Sequence, residues 1–303
     1  MSTLKWRNKS IMKYLDKFKL ILRLPLTCIR GVFYKKPHVM NDWYTIKYII
    51  DNKCSVARYG DGEFDLMCGI GIKFQNADRE LKRRLLEISK SVQTNCLVCI
   101  PDVLQTKKEL YNKLEKKDAD WWHSFLRLTR GMWYKFFRSD LYGDTNISRF
   151  YMEVKNKERT SDYVELIKSI WNEKNIVFVE GEKSRLGVGN DLFDNAASIR
   201  RILCPSDNAF KRYDEIFSKV MELTKEDDLI ICALGPTATV LSFDLSQNGR
   251  RALDLGHIDV EYEWFKMGAK EKVSIAGKDV SETNNALRDE NKKVLDDVMA
   301  VIV

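Results

Sequence analysis

The sequence contains few of the residues that interrupt regular structure. Only 5 of its 303 residues are proline and 15 are glycine, which leaves little room for a low-complexity linker. No stretch approaches the roughly 18 uncharged apolar residues that a membrane-spanning helix needs. With 44% hydrophobic and 31% charged residues, the chain has the composition of a globular protein of one large or two small domains.

Histidine and cysteine are too few and too scattered for a metal or disulfide framework. The 7 cysteines are an odd number and no export signal is recognisable, so we interpret them as reduced thiols. Cys96 and Cys99 have CxxC spacing, but the run CLVCI predicts a buried strand, on which residues three apart point to opposite faces. The 3 histidines do not complete a zinc set with this pair. We therefore expect neither a zinc nor a redox site.

Acidic residues are nearly absent from the beginning of the chain. Residues 1–40 hold ten Lys/Arg and one acidic residue, Asp16, a net charge of +9, whereas the whole chain carries +7. The rest of the chain is therefore slightly acidic, which argues against nucleic-acid binding by the body. We divide the chain into a basic amphipathic N-terminal arm, residues 1–40, and a single α/β domain, residues 41–303.

The arm has the pattern of an amphipathic helix. Lysines recur every fourth residue, and apolar side chains occupy another face of the predicted helix: Lys9, Lys13 and Lys17, with Ile11, Leu15, Phe18 and Leu22. Such a helix binds an anionic membrane surface or packs its apolar face on the body. We expect a cytoplasmic protein in which residues 1–36 make peripheral contact with the inner face of the membrane or pack within the protein. Unchanged recovery in the membrane fraction after removal of residues 1–36 would exclude membrane contact.

The body alternates between helical and strand patterns. Helices are predicted at 41–52, 77–92, about 105–138, about 162–173, 207–223 and 237–247, with apolar strands between them. Such alternation with short connections is typical of an α/β fold with a largely parallel sheet flanked by helices. We interpret the aromatic-rich segment 105–138 as core or as a lid over a site, and the polar tail 281–300 as ending in a helix.

Four predicted strands end in polar loops that contain glycine. These loops are YGDGEF after Arg58, EGEKSRLGVGND after Val179, LGPTAT after Ala233 and GHIDVEYEW after Leu255. In open parallel sheets, ligands bind at the carboxyl ends of the strands. Convergence of the four loops at that edge predicts one polar cleft for a small molecule with anionic parts.

The first loop carries two carboxylates, Asp61 and Glu63, next to Gly60 and Gly62. Carboxylate oxygens and substrate phosphates are the ligands that Mg²⁺ and Mn²⁺ prefer. A metal bound here can bridge a diphosphate leaving group, and the glycines let the backbone approach the phosphates closely. The alternative is an exposed turn, because Gly-Asp-Gly is ordinary turn chemistry. Arg58, just upstream, could pair with a carboxylate or a phosphate.

The second loop, residues 180–191, is rich in glycine and carries two basic residues, Lys183 and Arg185. It matches neither a Walker A loop nor a dinucleotide fingerprint. Its backbone N–H groups and basic side chains could still cradle an anion, and Asn190 and Asp191 could bind sugar hydroxyls. A flexible loop with solvated charges is the alternative.

The third loop begins a helix directly after a strand. Pro236 suits the first turn of that helix, and Thr237 can cap it. The N-terminus of such a helix favours an anion, because its backbone N–H groups point outward. Capping alone explains the same two residues equally well.

The fourth loop, GHIDVEYEWF, fits two patterns. As a helix, it places His257 and Glu261 on one face, a spacing that allows joint metal or proton chemistry. As a strand, it places Asp259, Glu261 and Glu263 on one face and apolar residues on the other. A histidine beside three carboxylates at a strand end is a candidate base or metal ligand.

At these loops the sequence resembles the bacterial GT-D-type glycosyltransferase family. The matching stretches are ARYGDGEF (57–64), GDTNISRFY (143–151), VEGEKSRLGVGNDLFDNAASIRRILCP (179–205), ALGPTATVLSFDL (233–245) and ALDLGHIDVEYEWF (252–265). The resemblance implies a Rossmann-like α/β fold in which the Asp-x-Glu motif, Asp61 and Glu63, supports a metal and a sugar nucleotide. It also implies transfer of a sugar, commonly glucose or another hexose from a UDP-sugar, to a cell-surface glycan or glycoprotein.

From the loops and this resemblance we predict the following site. The predicted catalytic residues are Asp61, Glu63, His257, Glu261 and Glu263, with Asp259 as a further candidate base. Mn²⁺ or Mg²⁺ would be bound by Asp61, Glu63 and His257. The predicted substrate-binding residues are Arg58, Tyr59, Gly60, Gly62, Gly181, Glu182, Lys183, Ser184, Arg185, Gly187, Gly189, Asn190, Asp191, Gly235, Pro236 and Thr237.

Two other functions remain as alternatives. One is a different metal-dependent sugar-nucleotide enzyme, such as a hydrolase, which would release free sugar and elongate no acceptor. The other is a non-catalytic scaffold at the membrane, which would bind no sugar nucleotide even with Mn²⁺. The chemistry of glycosyl transfer requires neutralisation of the departing diphosphate and, with inversion, deprotonation of the acceptor hydroxyl. We favour inversion.

Overall fold

A computed structural model describes residues 37–91, 95–102, 105–278, 280 and 297–303. The predicted amphipathic helix of the arm and residues 281–296 of the predicted polar tail lie outside the described residues. None of the helices within these ranges is both long and apolar enough to cross a membrane.

Nine strands within the described ranges form one sheet, and every neighbouring pair is parallel. They are β1 (His38–Val39), β2 (Ser55–Arg58), β3 (Cys96–Ile100), β4 (Leu141–Asp144), β5 (Asn175–Gly181), β6 (Ser198–Cys204), β7 (Leu229–Ala233), β8 (Arg251–Asp254) and β9 (Val298–Val301). Their order is β1-β4-β3-β2-β8-β7-β5-β6-β9. The sheet confirms the predicted parallel α/β fold.

The connections between strands are mostly helical. The α-helices of the described residues are α1 (Asp42–Asn52), α2 (Asp61–Met67), α3 (Arg79–Ile88), α4 (Lys107–Lys113), α5 (Lys116–Phe136), α6 (Thr160–Lys168), α7 (Tyr213–Leu223), α8 (Pro236–Gln247) and α9 (Ile258–Met267). Side chains before the first turn fix several starts. Asn41 accepts a hydrogen bond from the backbone N–H of Tyr44, and Asp78 accepts one from that of Leu81.

Helices cover both faces of the sheet. On β5, Ile176 and Phe178 belong to a buried cluster with α1, α6 and α9, whereas Val177 and Val179 belong to a cluster with α7 and α8. Helices α2, α3 and α5 form a third cluster with β2 and β3. Because alternate residues of a strand face opposite sides, strands buried on both faces are apolar throughout, as the sequence shows.

The segment 105–138 is helical, as predicted, and consists of two helices, α4 and α5. Three other predicted elements differ from the structure. YGDGEF is not a loop, because α2 begins at Asp61. The tail does not end in a helix at residue 300, because Val298–Val301 pairs with β6 as an edge strand. Residues 38–39, assigned to the arm, pair with β4. Pairing with a neighbouring strand decides the conformation of these short segments, and a local pattern does not contain that information.

Aromatic residues of α5 form part of the core. The rings of Phe64 and Trp133 stack with centroids 5.1 Å apart, and Trp133 is fully buried. The core interpretation therefore holds for the C-terminal part of this helix. Near its N-terminus, Trp121 is 45% exposed and stacks on Phe125.

The cysteine pair of β3 has the predicted environment. Cys96 and Cys99 are free and buried, and burial raises the pKa of both thiols, to about 12 for Cys96. Buried thiols with raised pKa values are poor nucleophiles and poor metal ligands. Among the described residues, no cluster of three or more His, Cys, Asp or Glu side chains is arranged to hold a metal by itself.

Candidate active site

The four glycine-containing loops lie at one edge of the sheet. They follow β2, β8, β7 and β5, which are consecutive neighbours in the sheet and all parallel. Their carboxyl ends therefore point the same way, and the predicted convergence is confirmed. This edge is where open α/β sheets bind ligands.

The Asp-x-Glu motif forms the first turn of α2. Gly60 is the N-cap residue. Its backbone N–H donates a hydrogen bond of 2.7 Å to Oε2 of Glu63. Asp61 is exposed, whereas Glu63 is partly buried. Desolvation raises the pKa of Glu63 to about 7, with smaller increases from the charges of Asp254 and Asp61. The motif is therefore a helix N-terminus rather than an exposed turn.

This arrangement fits a divalent cation that arrives with a substrate. Glu63 lies close enough to Asp61 and Asp254 for both carboxylates to raise its pKa, and a cation would relieve that repulsion. Within the described part of the chain, these carboxylates alone are too few for a complete cage. Mg²⁺ and Mn²⁺ commonly take one or two carboxylates together with water and substrate phosphates, and Asp61 and Glu63 suit that donor set. His257, the third predicted ligand, is the partly exposed N-cap residue of α9, three residues after the adjacent strand β8 ends.

Arg58 and Tyr59, both predicted to bind substrate, are engaged within the protein. The guanidinium of Arg58 donates to the carbonyl and carboxylate of Asp254, at 2.7 and 3.1 Å, and to Ser148 Oγ at 2.7 Å. Its side chain is only 13% exposed. Tyr59 is fully buried, and its hydroxyl donates to the carbonyl of Leu85. We correct both assignments: Arg58 joins the ends of β2, β8 and β4, and Tyr59 belongs to the core.

A buried ion pair between Arg201 and Glu180 anchors the glycine-rich loop after β5. Arg201 donates to Glu180 and to the carbonyl of Leu186, while Glu180 accepts the backbone N–H of Leu186 at 2.7 Å. Arg185 is also buried, has a φ of 51° and donates to the carbonyl of Gly277. The loop is therefore rigidly seated, which disagrees with a flexible solvated loop.

The other predicted residues of this loop face two environments. Glu182, Lys183 and Gly189 are exposed, and Ser184, Gly187, Asn190 and Asp191 are partly buried, whereas Gly181 is buried. Asp191 accepts a hydrogen bond from the hydroxyl of Tyr262 and pairs with Lys266, so its carboxylate is tied to α9. Lys183 is thus the exposed cation of the predicted anion cradle.

Of the two patterns that fit the fourth loop, helix and strand, the structure shows the helix, α9. On α9, Asp259 and Glu263 lie one turn apart, and both accept hydrogen bonds from Nδ2 of Asn190, at 2.8 and 2.7 Å. Both also pair with the buried Lys278, at 2.5 and 3.0 Å. Asp259 accepts the backbone N–H of Gly187 as well. These carboxylates fasten the glycine-rich loop to α9.

Glu261 does not share that face. It is fully buried, and its Oε2 accepts the backbone N–H groups of Tyr151 and Met152 at 3.0 and 2.9 Å. Its Oε1 is buried without a partner in the described residues. Desolvation raises the pKa of Glu261 to about 7. A carboxylate sealed in this way does not meet an acceptor, so we correct its assignment as a base.

The burial of Glu261 predicts a pH-dependent stability. Its folded-state pKa of about 7 exceeds the ordinary value of 4.5, so the folded protein binds the extra proton. Its stabilising contribution is present below pH 4.5 and is lost as pH rises through 7. Relative to Glu261→Gln, the wild type should lose about 3 kcal/mol of unfolding free energy between pH 5 and pH 8. Urea denaturation at both values measures this difference, and a difference that stays constant with pH would contradict it.

At the helix N-terminus after β7, the N-cap residue Gly235 is exposed, whereas the next two residues are not. Pro236 and Thr237 are buried, and the hydroxyl of Thr237 has no partner in the described residues. Gly235 has a φ of +53°, and a methyl group there would lie 2.5 Å from Cε2 of Phe74. Phe74 belongs to the loop between α2 and α3, so this loop reaches across to α8.

Sequence reasoning missed several residues that build the site. Lys278, Asp254, Arg201 and Phe74 were not predicted. Lys278 and Arg201 act through partners 15 to 21 residues away, and Asp254 through Arg58, 196 residues away, so no local pattern shows these contacts. Phe74 lies in the glycine-containing stretch GIGIKFQN, and an aromatic residue in such a loop is the one signal that was present.

Comparison with known proteins agrees with this geometry. The family model for the glycosyltransferase GT-D fold matches residues 56–283, which include all four loops. The chain belongs to this family. A probable glycosyl transferase Gly of Streptococcus gordonii is 41% identical to this GT-D chain over 245 residues, 79% of the chain and 35% of that protein. Glycosyltransferase GlyD of Streptococcus pneumoniae serotype 4 is 40% identical over 245 residues, 79% of the chain and 29% of that protein. The GT-D chain thus spans about a third of the length of these curated relatives.

Solved structures share the whole fold. A protein described as a domain of unknown function 1792 with a distinct glycosyltransferase fold has a TM-score of 0.82 and 34% identity, covering 96% of the GT-D chain and 100% of its own. A glycosyltransferase with the same domain from Streptococcus sanguinis has a TM-score of 0.81 and 39% identity, covering 88% and 100%. The predicted family and fold class are confirmed.

Proposed function

We propose that this GT-D chain transfers a hexose from a UDP-sugar to a cell-surface glycan or glycoprotein, with the help of a divalent cation. The observation that carries the proposal is the position of Asp61 and Glu63. They occupy the first turn of α2, at the shared carboxyl edge of four adjacent strands. An anionic substrate with a bound cation fits this edge, because it combines two carboxylates with the N-terminus of a helix.

Asp61 and Glu63 would hold Mn²⁺ or Mg²⁺, which when bound stabilises the negative charge of a departing diphosphate. Lys183, exposed on the rigid glycine-rich loop, adds a positive charge for the same anion. The network of Asp259, Glu263 and Lys278 keeps that loop in place. These residues therefore orient the donor before the reaction begins.

The acceptor hydroxyl requires a base if the anomeric configuration inverts. His257 is our first candidate, because it is partly exposed at the end of β8, beside the strand that leads to Asp61. Glu263 is the second candidate, since it too is partly exposed, although Lys278 pairs with it. Contact of residues 1–36 with a membrane would place the enzyme near a lipid-linked or surface acceptor.

Thermal unfolding with nucleotides tests the proposal directly. The protein is heated with UDP, GDP, CMP and several UDP-sugars, each with and without Mn²⁺. A ligand that binds only the folded state, at 100 times its Kd, stabilises by about 2.7 kcal/mol. We expect a Mn²⁺-dependent rise in Tm with uridine nucleotides. If no nucleotide raised Tm, the proposal would fail and a scaffold would be favoured.

A further inference from the structure

The loop between α2 and α3, residues 68–78, crosses the carboxyl edge of the sheet. Near its start, Cδ1 of Ile72 lies close enough to α2 that a methyl group on Gly62 would be 3.3 Å from it. At its centre, Phe74 packs on Gly235, which follows β7. The loop therefore joins the helix of the Asp-x-Glu motif to the start of α8.

Hydrogen bonds fix the loop at its far end. Asn208, four residues beyond β6, donates its backbone N–H to the carbonyl of Phe74 at 2.8 Å. The side chain of the same asparagine accepts the backbone N–H of Asn76 at 2.8 Å. Phe74 is thus held by two neighbours in space, Asn208, which follows β6, and Gly235, which follows β7.

Phe74 is not a core residue. It is partly exposed and belongs to none of the three buried clusters. Within the described ranges it pairs with no other aromatic ring, unlike Phe64 and Trp121, each of which stacks on a neighbouring ring. An aromatic ring held at a ligand-binding edge, with no ring partner, offers a surface for stacking.

We propose that Phe74 stacks against the nucleobase of the sugar-nucleotide donor. The inference rests on the proposed function, because it assumes that the donor's diphosphate binds near Asp61 and Glu63. Ile72 at Gly62 and Phe74 at Gly235 place the ring between these carboxylates and the start of α8. A base is planar and has an apolar face, and a nearby aromatic ring accommodates it without the need for a second charged group.

Glycine at position 235 is part of this arrangement. Its φ of +53° lies in the left-handed region, and any side chain there would collide with the Phe74 ring. The edge of the Phe74 ring therefore packs directly against the backbone of Gly235. The ring therefore needs no conformational search when the nucleotide arrives, which lowers the entropic cost of binding.

The test compares a nucleotide with a ligand that lacks a base. Dissociation constants of UDP are measured by calorimetry in Mn²⁺, and those of inorganic pyrophosphate by competition with UDP. For Phe74→Leu we expect UDP affinity to fall roughly 5- to 100-fold and pyrophosphate affinity to change by less than about 2-fold. Leucine keeps an apolar side chain in contact with Gly235 and removes only the aromatic face. Phe74→Tyr keeps the aromatic face and should therefore retain UDP affinity.

Ile72→Ala is the matched control, since it truncates an apolar side chain of the same loop that has no ring. It should change UDP and pyrophosphate affinity by the same factor. Equal losses for both ligands in Phe74→Leu, or no loss, would overturn the stacking role while leaving the proposed function intact. If the wild type bound no nucleotide at all, the proposed function itself would fail, and this inference with it.

Discussion

Asp61→Asn and Glu63→Gln should each reduce sugar transfer by on the order of 100-fold or more, since each removes a carboxylate that would hold the cation that neutralises the leaving diphosphate. Both variants should fold normally. Asp61 is exposed, and glutamine at position 63 can still accept the hydrogen bond from the backbone N–H of Gly60 that begins α2. The measurement is release of UDP from a UDP-sugar in the presence of acceptor and Mn²⁺.

Asp51→Asn provides the control for these two variants. Asp51 is an exposed aspartate near the end of α1, at the amino edge of the sheet, away from the predicted cleft. Its loss should leave transfer unchanged. Full activity in Glu63→Gln would remove the metal role of the motif, and equal damage by Asp51→Asn would show that the assay responds to net charge alone.

Arg58→Met should destabilise the protein by about 3–5 kcal/mol, because it leaves the carboxylate of Asp254 buried and unpaired. Asp254 is 4% exposed, so water cannot replace the guanidinium. The carbonyl of Thr145 and the hydroxyl of Ser148 lose their donor as well. Chemical denaturation of the variant and the wild type measures the loss.

Two comparisons make this result specific. Arg83→Met removes a guanidinium from an ion pair with Glu80 in which both side chains are more than half exposed, and it should leave the unfolding free energy almost unchanged. The double variant Arg58→Met with Asp254→Leu should recover much of the lost stability, because no buried charge is left. If the double variant were as unstable as the sum of the single ones, hydrogen bonds and packing rather than the unpaired carboxylate would account for the loss.

Local pattern was sufficient to predict that the four glycine-containing loops share one edge of the sheet. The Asp-x-Glu motif could be found because two carboxylates and two glycines follow an apolar run directly, and the four loops could be assigned to one edge because parallel strands share a direction. The residue types alone did not show which way each side chain points. Glu261 and Glu263 have the same charge and lie two residues apart, yet one faces the interior and the other faces Asn190.

Ion pairs between residues that are separated in the sequence could not be predicted for a different reason. Arg58 and Asp254 are 196 residues apart, and their pairing depends on β2 and β8 being neighbours in the sheet. Lys278 could not be linked to Asp259 without knowing that the chain after α9 returns across that helix. Strand order is a property of the whole fold, and a single sequence without aligned relatives does not show it.

The order of the strands has a consequence for how the enzyme folds. The strands β1 to β4 are made by residues 38–144 and occupy one half of the sheet, while β5 to β9 are made by residues 175–301 and occupy the other. Strand pairs within each half join residues up to about a hundred positions apart, whereas the contact between β2 and β8 closes a loop of nearly two hundred residues. Such high contact order slows folding. Asp61 and His257 lie on opposite sides of that contact, so the predicted cleft is complete only once the two halves of the sheet have paired.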